Sequence, residues 1–287
     1  MTSPLAIGGP RGGQFRIKRP GVRYVAVPSV PPRPWQAAVA RAGAWVGATL
    51  ALALVSAGCR GANQSRYGMP PPITEQGHSI LGLWRGMFVT AAVVGAIVWA
   101  LIGWAIVRYR KRPGDESLPK QTQYHIPLEI TYTIIPVVIV AVIFVFVVKV
   151  ENSVNATAAP AAVSVRVEGF QWGWRFTYLN ADGTPAGPAI VGDQSSPPTL
   201  KLPAFETVRL ILVADDVNHS FYVPNFLFKR DLIAGVTNTV ELYIDKVGTF
   251  PGHCAEFCGL HHADMGFQLD AVPKDQFSLP LAAGASP

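Results

Sequence analysis

Apolar residues fall in long unbroken runs through the first half of the chain and alternate with polar ones through the second. Gly86 to Val107 holds 22 residues without a charge, about 33 Å of helix at ~1.5 Å per residue, enough to cross a bilayer. Ile130 to Val148 is a second uncharged run, extended upstream to Ile126 if Glu129 is admitted. Between them RYRKRPGDESLPK sets Arg108, Arg110, Lys111, Arg112 and Lys120 against Asp115 and Glu116, so the positive-inside rule places this short loop in the cytoplasm. A hairpin with its turn inside leaves both flanks outside the cell. From Ala162 the period becomes strand-like: VSVRVEGFQWGWRFTY alternates and is rich in Val and aromatics, and TLKLPAFETVRLILVA, HSFYVP, NTVELYI and FQLDAV follow at short spacing between Gly, Pro, Asp and Asn. These predict a mixed membrane and all-β architecture, a two-helix transmembrane hairpin followed by an antiparallel β-sandwich or barrel.

The ends of the chain read differently. Residues 1–40 are rich in Pro, Gly and Arg without sustained periodicity, and the expectation is disorder. Ala42 to Ala57 is a 16-residue apolar run preceded by Arg41, too short to span and shaped like a signal-peptide core. Ala57 and Gly58 before Cys59 resemble a bacterial lipoprotein cleavage box, with Ser56 where Leu is usual. That reading makes Cys59 the lipidated residue; the alternative is an uncleaved third membrane helix. The expected divisions are a basic tail and signal-like segment (1–58), an extracytoplasmic segment (59–85), the hairpin (86–150), an extracytoplasmic β-domain (151–274) and a loose C-terminal tail (275–287).

Composition sharpens the division. Residues 1–152 carry 16 basic and 5 acidic side chains, net +11, and residues 153–287 carry 8 and 13, net −5. A basic membrane half and an acidic outer domain suit lipid and a basic protein partner, and do not suggest nucleic acid. Three cysteines make no disulfide framework, and no CxxCH is present to attach haem.

The chemistry is concentrated in GHCAEFCGLHHADM, Gly252 to Met265. Two thiolates, an imidazole and a thioether on one loop are soft donors of the kind that suits copper. A β-sandwich with such a loop near its end and one distant His has the pattern of a copper-binding cupredoxin, and His219 in DDVNHSFYVP is the candidate for the distant ligand. A single blue copper needs one Cys. Two, four residues apart, can bridge a pair of coppers, each with one imidazole from His219 or the loop and weak axial donation from Met265 and a backbone carbonyl. A structural zinc on the two Cys and two His is the alternative, though it has no need of Met265, and a Cys254–Cys258 disulfide is feasible as a redox intermediate. His253 is set aside; spacing alone does not choose between His261 and His262.

HSFYVP followed by C-x-E-x-C-x-x-x-H-x-x-M resembles subunit II of the haem–copper cytochrome c oxidases, over roughly residues 80–273. The FLFKRD and HCAEFCG wording is most similar to actinobacterial members. The resemblance implies that His219, Cys254, Cys258, His262 and Met265 bind a dinuclear copper A centre through side chains. Glu256 is implied as a ligand through its backbone carbonyl, its side chain reaching a magnesium shared with subunit I. QWGWRFTY resembles the family's aromatic stretch, making Trp172 the point where the electron arrives from cytochrome c, with Trp174 on the same strand face as a core aromatic. ExxYTxxP resembles the family's ExxWTxxP, placing Glu129 at the mouth of a subunit I proton channel. Asp216 matches an acidic cytochrome c docking position, while Gly173, Arg175 and Thr177 depart from the usual surroundings of the tryptophan. The docking surface thus keeps part of its acidity and loses part, and a tethered or supercomplex-bound cytochrome c, for which effective concentration replaces steering, is the alternative to a soluble one. The implied function is to accept electrons from cytochrome c and pass them to haem in subunit I, where oxygen is reduced to water with proton translocation, in a bacterial cell membrane. The alternative is a copper-handling cupredoxin without an oxidase partner; such a protein needs neither Glu256 at a subunit interface nor Glu129 at a channel.

Overall fold

The computed structural model describes residues 66–279, apart from 112, 113, 115, 116, 119, 158 and 159. The expectations for the N-terminal tail, the signal-like segment and Cys59 lie outside the described residues. Among the described residues two helices come first, α1 (Glu75–Arg108) and α2 (Ile126–Val154). Thr74 starts α1: its hydroxyl accepts from the Gly77 N–H at 2.9 Å, and Glu75 in the first turn meets the positive end of the helix dipole. α1 therefore begins eleven residues before the uncharged run at Gly86, and the division expected at residue 85 falls within a continuous helix. Its 34 residues span about 51 Å against the ~30 Å of a hydrocarbon core, so one end stands clear of the bilayer. Along both helices apolar side chains face outward without protein cover, Trp99 74% and Phe144 64% exposed, which fits a pair of membrane-spanning helices. Pro136 sits inside α2 and withholds a donor from the carbonyl of Tyr132.

Ten strands follow in two five-stranded sheets. They are β1 (Val163–Phe170), β2 (Gly173–Leu179), β3 (Ile190–Asp193), β4 (Thr199–Pro203), β5 (Thr207–Ala214), β6 (His219–Tyr222), β7 (Lys229–Leu232), β8 (Asn238–Tyr243), β9 (Gly248–Cys254) and β10 (Gly266–Val272). One sheet runs β3-β2-β1-β5-β8 and the other β4-β10-β9-β6-β7. The alternation seen in the sequence buries Val163, Val165 and Val167 of β1 and Val208, Leu210 and Leu212 of β5 between the sheets, with Trp174, Phe176, Leu200, Leu202, Phe221 and Phe267. The expectation of an antiparallel sandwich is corrected in one respect. β1 pairs β5 in parallel and β10 pairs β4 in parallel, so each sheet is mixed. The reason is a change of sheet within TLKLPAFETVRLILVA. β4 lies in one sheet and β5 in the other, and Phe205 between them takes a left-handed φ of 62°. β9, with Gly248, Pro251 and Gly252, shows no strand pattern in the sequence. Pro251 is tolerated because β6 pairs β9 only at His253 and Cys254, leaving the earlier residues as a one-sided edge.

The β-domain is fastened to α1. Ile73, fully buried, donates its N–H to Asn225 O at 3.1 Å and accepts from Asp245 N–H at 3.0 Å. Three and five residues further, Gln76 donates to Glu241 O at 3.2 Å and His78 meets Asp245 at 2.8 Å. Arg230 of β7 bonds Asn155 at the end of α2. At the other terminus the expected loose tail is partly packed: Phe277 lies 6.2 Å from the Tyr178 ring and Leu279 rests on the core.

Leu210→Ala, in the middle of β5 and fully buried, is expected to cost about 2–5 kcal/mol. Near-UV circular dichroism of the full chain should show a lower thermal midpoint; an unchanged one would mean the sheets do not depend on this core.

Candidate metal centre

Three local structures meet at one end of the sandwich. The first is the two-residue turn Gln171–Trp172 between β1 and β2, which pair from Phe170 with Gly173 onward. The second is the 215–218 connection that delivers His219 to the start of β6. The third is the loop from Cys254, at the end of β9, to Met265, just before β10. This loop is closed at its base by the Cys254 N–H on Met265 O at 3.0 Å and is laid against β6 by the Ala255 N–H on Ser220 O at 3.1 Å. His219 is wholly buried because β1 offers it Gly169; a Cβ there would lie 3.0–3.1 Å from the imidazole. Gly259 turns the loop at φ +120°, a conformation side chains avoid, and a Cβ there would lie 3.1–3.2 Å from the Trp172 indole.

The sulfur atoms of Cys254 and Cys258 stand 3.8 Å apart. Around Cys254 lie His219 Nδ1 at 3.8 Å and the Glu256 carbonyl oxygen at 3.3 Å. Around Cys258 lie His262 Nδ1 at 3.7 Å and Met265 Sδ at 3.8 Å. The ligand atoms of His219, Cys254 and Cys258 all fall within 4.8 Å of one another, and His262 reaches the group through Cys258. Burial opposes ionisation of Cys254, but hydrogen bonds from His219, the backbone of Glu256 and Ser220, and His262 outweigh it and bring the thiol down to about 6. Burial and then the Cys254 thiolate push Cys258 up to about 12. Burial lowers His219 less than Cys254 and Asp216 raise it. Two thiolates this close do not coexist without a cation, and a soft cation that displaces both protons fits the donor set: two sulfurs, two imidazole nitrogens, a thioether and a carbonyl.

The structure separates the remaining candidates. His262 faces Cys258, whereas His261 lies edge-on to Trp172 at 5.0 Å with Nδ1 3.6 Å from Asp264, and His253 is exposed on β9. Trp172 and Trp174 do not share a strand face. Trp172 sits half-exposed in the turn with Nε1 donating to Cys258 O at 3.1 Å. Trp174 is fully buried on β2, where it packs on Phe221 and Phe267. Asp216 accepts from His219 Nε2 at 2.9 Å and from the Gln171 N–H at 2.8 Å. Glu256 points its carboxylate away from the sulfurs, onto Lys229 Nζ at 3.1 Å. Glu129 is remote, in the first turn of α2, where it accepts from the His125 N–H at 2.9 Å. Sequence reasoning missed three contributors. Gln171 donates to Cys258 O at 2.8 Å, Lys229 also holds Ala255 O at 3.0 Å, and Gly169 makes room for His219. Only Gly169 left a signal, a glycine interrupting an otherwise regular strand pattern.

Residues 163–272 match the family model described as the periplasmic domain of cytochrome C oxidase subunit II. The chain is 36% identical over 267 residues to the probable cytochrome c oxidase subunit 2 of Streptomyces avermitilis, covering 81% of this chain and 84% of that one. It is 32% identical over 284 residues to cytochrome c oxidase subunit 2 of Mycobacterium tuberculosis, covering 80% and 78%. Among solved structures, the periplasmic domain of subunit II of the cytochrome oxidase of Bradyrhizobium japonicum is 26% identical, covers 42% of this chain and 91% of that domain, and superposes with a TM-score of 0.37.

Gly169→Ala should crowd the His219 ring away from Cys254 and weaken copper retention roughly tenfold to a hundredfold with the fold intact. Chelator competition on the full chain measures this, and equal retention would show that the ring has room to retreat.

Proposed function

The chain belongs to the cytochrome c oxidase subunit II family, and from that membership we propose that it is the subunit through which electrons enter a respiratory oxidase. In this reading it takes electrons from cytochrome c and delivers them to haem in subunit I, where oxygen is reduced to water with proton translocation. The observation that carries the proposal is the pair of buried thiols at 3.8 Å, each with its own imidazole.

His219, Cys254, Cys258, His262, Met265 and the Glu256 carbonyl would hold a dinuclear copper A centre. Bound there, the copper pair would supply one-electron redox chemistry. The chain's part is to hold these donors in fixed places, so that little rearrangement accompanies a change of charge. Burial of Cys254, Cys258, His219 and Met265 excludes water from the sulfurs. Trp172 is the proposed point of electron arrival. It is the aromatic group that reaches both the surface and, through Nε1, the carbonyl of Cys258.

The surroundings of Trp172 bear on the donor. Arg175 meets Asp215 at 2.8 Å and Glu168 at 3.5 Å, one positive charge against two negative, so this face keeps only part of its acidity. Leu260 on the loop is 82% exposed. A reduced field beside exposed apolar groups suits a tethered or supercomplex-bound cytochrome c as the alternative to a soluble one gathered by steering. The docking role of Asp216 rests on the resemblance. So does the magnesium site at Glu256, whose carboxylate is exposed on the loop's outer side, and the role of Glu129 at a proton channel. The extracytoplasmic position of the β-domain follows from the basic loop between the helices, with subunit I beside the hairpin.

Copper titration of the full chain, followed by electron paramagnetic resonance, tests the proposal. A seven-line mixed-valence pattern is expected, and a four-line mononuclear spectrum at full loading would defeat it. Trp172→Phe should keep that pattern while slowing oxidation of cytochrome c by the assembled oxidase; an unchanged rate would remove Trp172 from the path.

A further inference from the structure

We propose that Asp216 is a positioning residue: one carboxylate fixes the tautomer of His219 and holds the turn that carries Trp172. The proposal deepens the reading of His219 as a copper ligand and replaces a docking role for Asp216 with an internal one.

A carboxylate can only accept hydrogen bonds, and that decides the state of its partner. Asp216 Oδ1 lies 2.9 Å from His219 Nε2, so Nε2 must carry the hydrogen. Nδ1 then faces Cys254 Sγ at 3.8 Å, where a proton shared with the thiol gives way to a metal and the lone pair on Nδ1 becomes the donor. In the other tautomer an N–H would point at the sulfur and no nitrogen donor would be presented to a metal. His219 is fully buried, so water does not compete for Nε2 or supply an alternative acceptor.

The second oxygen works on a different element. Oδ2 accepts the Gln171 N–H at 2.8 Å, fixing one side of the turn. The other side is fixed by the Gln171 amide at 2.8 Å and the Trp172 indole at 3.1 Å, both donating to Cys258 O. A closed ring results, from Asp216 through His219 to Cys254, across to Cys258, and back through the turn to Asp216. Displacing the carboxylate therefore disturbs a metal donor and the Trp172 indole together.

The carboxylate is also held from behind. Oδ1 accepts the N–H of Val217 at 2.6 Å, so it cannot swing out to a partner without leaving three donors. The neighbouring Asp215 is equally committed, to Arg175 at 2.8 Å. Asparagine cannot substitute. With its oxygen on Gln171 its NH2 drives the His219 hydrogen from Nε2 to Nδ1, and with its oxygen on His219 the NH2 opposes the Gln171 N–H.

The test uses the full-length chain in detergent, labelled with 15N at histidine, with the His219 signal assigned by its loss in His219→Asn. Metal-free wild type should show His219 protonated at Nε2, and D216A and D216N a mixture or the form protonated at Nδ1 alone. After copper loading, D216A should lose copper to a chelator roughly tenfold to a hundredfold faster, with D216N between it and wild type. In both variants the Trp172 indole N–H resonance should move. The proposal is overturned if both variants keep the tautomer, the indole resonance and the rate of copper loss within twofold of wild type, while only the affinity for cytochrome c falls. That pattern would make Asp216 a docking residue. Should wild type take up no copper, the reading of the site fails, yet the tautomer measured without metal still decides the role of Asp216. If D216A proves unfolded by circular dichroism, D216N, of nearly the same volume, carries the test.

Discussion

Two buried thiols 3.8 Å apart are an unstable arrangement on their own, and much of this end of the molecule is explained by what is needed to tolerate them. The first to ionise holds the second protonated, as the opposite displacements of Cys254 and Cys258 show. Surrounding them are donors that remain unspent until a cation arrives. The imidazoles are aimed, the thioether is buried, and the carbonyl of Glu256 is turned inward. Such a site is built to be completed.

Aiming these groups is a task for the sheets, because the loop alone is too irregular to do it. β6 and β9 pair only at their last residues, yet that short ladder sets His219 and Cys254 on neighbouring strands. The loop is then held at each stage. Its base closes through Cys254 and Met265, Ala255 rests on β6 and is gripped by Lys229, and the carbonyl of Cys258 receives two donors from the 171–172 turn. Burial of Trp174 and Phe267 beneath it removes the space into which the loop would otherwise relax.

What could be read from the sequence follows from how local each signal is. The hairpin was legible because hydropathy over twenty residues leaves few alternatives, although polar first turns hid where α1 begins. The donors of Gly252–Met265 were legible as types, since soft ligands crowd one short stretch. The choice of His262 over His261 needed the family pattern, and the structure places His262 Nδ1 beside Cys258. Non-local features were not legible. The parallel partners of β1 and β10 depend on a change of sheet at Phe205, and β9 is masked by its glycines and Pro251. The separation of Trp172 from Trp174 turns on a bend that an alternating pattern conceals. Asp216 reads as a surface acid until its distances to His219 and Gln171 are known.

The stitching of residues 73–78 onto the β-domain makes α1 a rigid mast rather than a tether. One residue added between the membrane and that fastening would lift the domain by about 1.5 Å and turn it by about 100°. The tryptophan and the outer carboxylate of the loop would then face the wrong neighbours. Length variation among relatives should therefore be scarce between residues 75 and 85 and free in the 109–125 connection. In this molecule the compass bearing of the metal loop is written in a helix fastened at Asn225, Glu241 and Asp245, outside that loop.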